Sequence, residues 1–296
     1  MTLQSDRAGQ AEQTEPVTRH ATDRGVDRIA AVLRDAAPGA GWAVGGVDGP
    51  EAVVEAATGF RVGAGDGAGA EVGAEFDSGA GERTGADVPA GEPAGGGLRV
   101  GERVPAPDLG GLVGVLAVWP VIGMLVDAGE LALHTPLTAY GAGDGLPAGI
   151  TAHHLLTHGS GVSSALVGLA ERLCGSPLAG FAADRIWRPL GMTRTGFAAD
   201  GTLYAPAADL GRFLSHLLAP AGGPVSRAWT AQSLRIRTGE LLPARGLLWH
   251  PSAHGSWSHG AGRTLWISPR ARRWAALLPA TPSAPLRTAF RDAVFA

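Results

Sequence analysis

The sequence predicts an α+β protein in which helices and antiparallel strands share the core. Within residues 23–36 the apolar side chains recur at intervals of three and four, which is typical of one face of an amphipathic helix. Two short apolar runs within residues 41–60 are divided by Asp48-Gly49-Pro50, which predicts a β-hairpin. Residues 112–126 form a continuous apolar run that is too short to span a membrane and contains Pro120, so we expect a buried core helix.

Composition limits the classes of partner and compartment. A chain of 296 residues can bury a substantial core, and its net charge of −3 indicates neither nucleic acid nor a membrane as a partner. The lone Cys174 excludes an internal disulfide, and the polar N-terminal segment has no apolar leader. We therefore expect a cytoplasmic protein without cofactors, of undetermined oligomeric state.

Two segments differ in composition from the rest. Residues 1–22 are polar and lack periodicity, which predicts a flexible tail. Residues 61–99 are rich in Gly, Ala and Glu and cannot bury enough apolar surface to offset their ordering entropy, which predicts a disordered insertion. The remaining chain, within residues 23–296, is expected to form one domain.

Several stretches have the form of recurrent motifs. They are Asp108-Leu109, LVDAGEL at 125–131, ITAHHLLTHGSG at 150–161, LVGLAERLCG at 166–175, FAADRIWRPLGMTRTGF at 181–197 and YAPAADLGRF from Tyr204. In this order they resemble the serine β-lactamase-like family, which includes class C β-lactamases, penicillin-binding-protein-like DD-peptidases and related esterases. The resemblance extends over about residues 23–60 and 100–296.

The resemblance implies a β-lactamase-like fold: an antiparallel sheet flanked by the terminal helices, with a mainly helical subdomain at about 105–220. It predicts late strands at 246–249, 258–269 and 274–278. It also predicts a C-terminal helix at 285–295 beside the N-terminal helix, and a helix that opens at Tyr204.

The groups that perform acyl transfer in this family are missing here. The family uses Ser-x-x-Lys at a helix start, where the lysine lies beside the serine and activates it. The corresponding positions are Gly111 and Gly114. The sequence contains no lysine and has no serine between Ser78 and Ser160, so no nearby register restores the motif.

The other two catalytic motifs of the family are also altered. Its tyrosine segment has no counterpart after the turn at 159–161, and the only tyrosines are Tyr140 and Tyr204. Its Lys-Thr-Gly or His-Thr-Gly strand motif is kept in part as His259-Gly260-Ala261. The degenerate site positions are therefore Gly111, Gly114, His259 and Gly260.

This pattern favours a catalytically inactive protein of the serine hydrolase fold, with a binding or regulatory role and a small-molecule or peptide ligand in the remnant cleft. An active serine hydrolase with a non-standard nucleophile is the alternative, with histidine as its base. The available serines are Ser160, Ser163, Ser164, Ser256 and Ser258. A third hypothesis is metal binding by the histidines: the spacing of His154 and His158 can hold zinc, although the family resemblance explains His158 as part of the scaffold. His250, His254 and His259 could form a small polar pocket, although a loop with solvated histidines explains them more simply.

Overall fold

A computed structural model describes residues 17–55, 109–158, 164–219 and 222–296, and these all belong to one compact unit. Its main sheet is built from β1 (Gly41–Gly46), β2 (Gly49–Val54), β5 (His250–Pro251), β6 (Trp257–His259), β7 (Thr264–Ser268) and β8 (Arg273–Leu278). These six strands are all antiparallel and lie in the order β2-β1-β8-β7-β6-β5. A separate short pair is formed by β3 (Gly196–Phe197) and β4 (Leu203–Tyr204).

Helices precede, separate and follow the strands along the sequence. They are α1 (Val17–Ala36), α2 (Trp119–Asp127), α3 (Ala152–His158), α4 (Ser164–Cys174), α5 (Leu178–Ala182), α6 (Ala207–Leu218), α7 (Arg227–Ser233) and α8 (Ala284–Phe295). Short 3-10 turns occupy Gly110–Leu112, Leu137–Tyr140 and Ala253–Gly255, and π-helical turns occupy Gly114–Val118 and Ala183–Trp187. The predicted combination of helices with an antiparallel sheet is confirmed.

One face of the sheet packs against the two terminal helices. Ile29 and Leu33 of α1 and Phe290 of α8 join a buried cluster with side chains of β1, β7 and β8. The predicted N-terminal and C-terminal helices therefore lie together. The start predicted for α1 was wrong, because the helix begins at Val17 and thus includes residues assigned to the flexible tail.

The opposite face of the sheet packs against the remaining helices in a second, larger cluster. The apolar run predicted as a buried core helix forms its centre, as a π-helical turn that continues into α2. Pro120 lies inside this continuous helical segment, and the indole N–H of Trp187 donates at 2.9 Å to the carbonyl of Leu116, four residues before the proline, which has no N–H of its own. No helix within the described residues is long and apolar enough to cross a membrane.

Two local predictions were wrong. Tyr204 lies in β4 rather than in a helix, because α6 begins only after Pro206, whose extended backbone precedes the first helical residue. Residues 246–249 are irregular rather than a strand, because Leu248 adopts a positive φ of 64° and the carbonyl of Trp249 turns back to the N–H of Gly246. The predicted insertion at 61–99 lies outside the described residues.

Candidate functional site

The structure brings His259, at the end of β6, against Gly111 at the start of the central helical segment. The Nε2 atom of His259 lies 3.3 Å from the Gly111 carbonyl oxygen. The Nδ1 atom lies 2.6 Å from the carbonyl oxygen of Leu248. The two outer motif positions, 148 residues apart in sequence, thus face one another across the boundary between sheet and helices.

The environments of the two glycines in the first motif differ. Gly111 is exposed, and a Cβ added to it would meet no atom of the described residues within 4 Å. Gly114 is buried at the first position of the π-helical turn. Position 111 therefore has space for a side chain, whereas position 114 is buried.

Gly260 is required by the backbone that follows His259. Its φ is +96°, and a Cβ at this position would collide with the carbonyl oxygen of Arg263. The same hypothetical atom would lie 3.0 Å from Cδ2 of Leu112. The Arg287 guanidinium donates to the carbonyl of Ala261 at 3.1 Å, which fixes this turn to α8. The close approach of Gly260 to Leu112 keeps the end of β6 in contact with the start of the central helical segment.

Burial lowers the pKa of His259, while hydrogen bonds to the carbonyls of Leu248 and Gly111 act in the opposite direction. The ring is only 8% exposed. We assign the single proton of the neutral ring to Nδ1, because the Leu248 contact is the shorter of the two. Nε2 then presents a lone pair to the Gly111 carbonyl, and both contacts become hydrogen bonds only in the protonated ring.

Three buried tryptophans extend from His259 into the core. The Trp249 ring lies 6.2 Å from His259 and 6.0 Å from Trp119, and Trp119 lies 5.8 Å from Trp229. Trp119 donates its indole N–H to Ser233, and Trp229 donates to the carbonyl of Trp119. Among the described residues, the buried indole nitrogen of Trp249 has no hydrogen-bond acceptor, which is a costly arrangement.

The histidines at 250, 254 and 259 do not converge on one point. His250 lies opposite Ser258 in the β5–β6 pair. Its pKa is lowered first by burial and second by the charge of Arg245. His254 instead contacts Asp292 of α8 at 3.0 Å. Hydrogen bonds from Arg291 and His254 lower the pKa of that exposed carboxyl group. His254 thus belongs to a surface contact rather than to the site.

No described serine is paired with a histidine ring through a hydrogen bond. The Ser256 hydroxyl donates to the carbonyl of Ala253 at 2.7 Å, and Ser258 is half-buried in β6 beside His259. Ser164 is exposed at the first position of α4. Ser160 and Ser163 lie outside the described residues, so the structure does not place them.

His154 has a structural role that the sequence analysis missed. Its backbone N–H is 3.3 Å from the Thr151 hydroxyl oxygen, and its Nδ1 atom accepts from the Thr151 backbone N–H at 3.3 Å. This reciprocal pair resembles a capping box with histidine in place of glutamate. The spacing Thr-x-x-His directly before an apolar helix was the available signal. The side chain of His158 lies outside the described set, and within that set no group of three potential ligands is arranged to hold a metal.

The contacts of the two tyrosines are with residues other than His259. The Tyr140 hydroxyl accepts from the backbone N–H of Ala132 at 2.8 Å. The Tyr204 hydroxyl oxygen lies beside Gly196, where an added Cβ would be 2.9 Å away. The half-buried Cys174 has a raised pKa, first because of burial and second because of Glu130, so its thiol stays protonated near neutral pH.

A cavity that the sequence did not predict lies between the end of α6 and the start of α7. Its volume is about 190 Å³, and its lining includes His216, Arg227 and Thr230. The Nε2 atom of His216 lies 3.1 Å from the carbonyl oxygen of Val225, and burial lowers the pKa of this ring. The cavity shares no lining residue with the pair formed by His259 and Gly111.

Comparison with known proteins shows a likeness in structure. No protein-family model matches the sequence, and no curated protein matches it. A β-lactamase from Mycobacterium bovis superimposes with a TM-score of 0.61 at 20% identity. The match covers 90% of this chain and 97% of the Mycobacterium bovis chain. A β-lactamase/D-alanine carboxypeptidase from Yersinia pestis gives 0.60 at 16% identity, with coverages of 94% and 97%.

A penicillin-binding protein homologue from Pyrococcus abyssi, described as octameric, superimposes with a TM-score of 0.57 at 15% identity. The match covers 93% of this chain and 76% of that one. At such identities the likeness concerns the fold, and it agrees with the order of motifs in the sequence. The chain has the fold of the serine β-lactamases and penicillin-binding proteins.

Proposed function

We propose that this chain, built on the β-lactamase-like fold, is a binding or regulatory protein that does not transfer acyl groups. The observation that carries the proposal is the pairing of His259 with position 111. Where a nucleophile would face the strand motif, the chain offers the backbone carbonyl of Gly111 at 3.3 Å from Nε2. A carbonyl oxygen cannot attack an acyl group, and it has no proton for the histidine to remove.

The requirements of the reaction strengthen this proposal. A serine hydroxyl becomes nucleophilic only when a base lies within hydrogen-bond reach. The sequence contains no lysine, so histidine is the available base near the site. The His259 ring already contacts two carbonyl oxygens, and Ser258, the neighbouring serine in β6, makes no hydrogen bond with a described histidine.

The geometry at Gly111 also supports a ligand-binding role. A Cβ built on Gly111 has no atom of the described part of the chain within 4 Å. The space that a side chain at position 111 would take is therefore open rather than filled by the core. We propose that this space receives a small molecule or a peptide and that no covalent bond forms. A cytoplasmic location belongs to the same proposal and is supported by the single cysteine.

Covalent labelling tests the proposal. Purified full-length protein is incubated with a fluorescent penicillin and with a fluorophosphonate probe, and intact mass is recorded beside turnover of nitrocefin and p-nitrophenyl acetate. We expect no added mass and no turnover above the rate of buffer alone. Added mass on a serine of the wild-type chain would overturn the proposal, and peptide mapping would identify that serine.

Matched variants make the result specific. Gly111→Ser places a hydroxyl where the structure leaves space, so labelling of this variant alone would show that probes reach position 111. Ser163→Ala and Ser258→Ala test the alternative of an active hydrolase with a non-standard nucleophile. If the wild-type protein is labelled and one of these variants is not, the alternative replaces our proposal.

A further inference from the structure

Exposed large hydrophobic side chains are concentrated in one loop. In the part of the chain that the structure describes, they are Val54 at 43% exposure, Ile236 at 55%, Leu241 at 64% and Leu242 at 90%. Three of these four lie in residues 235–245, here called the leucine loop. Single exposed hydrophobic residues are common on protein surfaces, but a cluster within one short loop indicates an interaction surface.

The leucine loop is held in a defined shape by hydrogen bonds at its base. The backbone N–H of Arg237 donates to the Arg245 carbonyl at 2.7 Å, and the N–H of Arg245 donates to the Thr238 hydroxyl at 3.1 Å. Thr238 is buried, and its carbonyl accepts from the N–H of Leu241 at 3.0 Å. These contacts close the base of the loop, whereas Leu241 and Leu242 remain in solvent. Their exposure is therefore built into the fold.

The charge of the leucine loop is opposite to that of the whole chain. It contains Arg235, Arg237 and Arg245 against the single acidic residue Glu240, while the complete sequence carries a net charge of −3. The guanidinium of Arg237 also donates to the carbonyl of Gln232 at 2.9 Å, so this positive charge is fixed near the loop base. The exposed Leu241 and Leu242, together with the arginines of the same loop, are complementary to a partner surface that has an apolar interior and a negatively charged outer layer.

We propose that the leucine loop docks onto the surface of an anionic lipid membrane. Leu241 and Leu242 insert at the boundary between headgroups and acyl chains, and the positive charge of the loop attracts the lipid phosphates. The sequence-based expectation of no membrane partner rested on net charge, which does not describe this local surface. Peripheral docking requires no membrane-spanning helix.

Vesicle co-sedimentation of the full chain tests the proposal. The probes are vesicles of phosphatidylcholine alone and of phosphatidylcholine with phosphatidylglycerol in equal parts. We expect at least tenfold tighter binding to the anionic vesicles and progressive release as salt is raised, because salt screens the arginine contacts. Equal binding to both vesicles, or no binding to either, would overturn the proposal.

Variants separate the loop from the rest of the surface. The double variant Leu241→Ser with Leu242→Ser should weaken binding to the anionic vesicles by tenfold or more. Val54→Ser, which changes the exposed hydrophobic residue outside the loop, should leave binding unchanged. Because these side chains are exposed, all variants should fold, and circular dichroism checks this. A double variant that binds as tightly as the wild type would disprove the role of the loop.

A second copy of the chain is the competing occupant. Sedimentation velocity without lipid distinguishes it from a membrane. If the wild-type protein forms a dimer that the double leucine variant abolishes while vesicle binding is absent, the loop is a self-association surface and the membrane proposal fails.

Discussion

The His259 ring contacts more hydrogen-bond acceptors than a neutral imidazole has protons. Carbonyl oxygens approach both nitrogens, at 2.6 Å from Nδ1 and 3.3 Å from Nε2. Protonation would satisfy both contacts, but burial opposes a charged ring more strongly and lowers the pKa. In the folded protein His259 is therefore a neutral ring that joins β6 to Leu248 and to Gly111. Low pH favours protonation of the ring and therefore destabilises the folded protein.

The first prediction is a loss of stability in mild acid. Burial lowers the pKa of His216, His250 and His259 from the ordinary value of 6.5. As pH falls below about 6.5, the unfolded chain binds protons that the folded chain excludes, so the free energy of unfolding decreases. Each unit of lowering corresponds to about 1.4 kcal/mol per group. The melting temperature, measured from pH 8 to pH 5, should be level above pH 7 and should fall below pH 6.5.

His259→Asn isolates one of the three rings. The asparagine amide can take the place of the Nδ1–H donor toward Leu248 but does not titrate in this range. The variant should therefore show a shallower fall of melting temperature with pH than the wild type. His134→Asn, at an exposed position, leaves the three rings intact and serves as the control. A wild-type melting temperature that rises between pH 7 and pH 5 would contradict the prediction.

Among the elements, α3 is held by a local contact that propensity alone does not supply. It has only seven residues, and isolated helices of this length are unstable in water. Thr151 and His154 satisfy one another's backbone N–H groups at its start. The carbonyl of Leu156 accepts from the N–H of Leu248 at 2.8 Å, which links α3 to the irregular segment before β5. The cap therefore also supports the segment whose Leu248 carbonyl contacts His259.

The second prediction concerns this cap. Thr151→Ala removes the side-chain acceptor at the start of α3, and we expect the free energy of unfolding to fall by about 1 kcal/mol. His154→Glu restores the usual capping-box pair and should leave stability equal or slightly higher. Urea denaturation followed by circular dichroism measures both. If Thr151→Ala and the wild type have the same midpoint, the contact does not stabilise the helix.

The sequence predicted the elements whose signals are local. The periodicity of 23–36, the Asp48-Gly49 turn and the apolar run at 112–126 each specify a helix or hairpin from neighbouring residues alone. The segment 246–249 was mispredicted because Leu248 adopts a positive φ that only tertiary contacts impose on a non-glycine residue. The pairing of Gly111 with His259 could be anticipated only from motif order, and the carbonyl contacts and tryptophan packing depend on tertiary structure that no local pattern specifies.

At the scale of the whole molecule, each face of the sheet borders one of two hydrophobic cores. Along β8, Trp274, Ala276 and Leu278 enter the larger cluster, whereas Ala275 and Leu277 enter the cluster under the terminal helices. This alternation follows from the two-residue period of a strand, which sends successive side chains to opposite faces. Loss of either helical layer exposes one face of strands whose other face belongs to the second core, so we expect the two layers to unfold together.

The third prediction tests this coupling at Phe290. Its fully buried ring lies 6.5 Å from the ring of Trp42 and 5.7 Å from that of Trp266, between α8 and the sheet. Phe290→Ala removes this packing and should lower the free energy of unfolding by about 3–5 kcal/mol, whereas Phe290→Leu should cost less because it preserves more volume. Urea transitions should be followed by circular dichroism and by tryptophan fluorescence, which includes Trp119 and Trp229 on the far face. Coincident transitions at a lower midpoint would establish one cooperative unit, and separate transitions would show that the layer around α8 unfolds independently of the site.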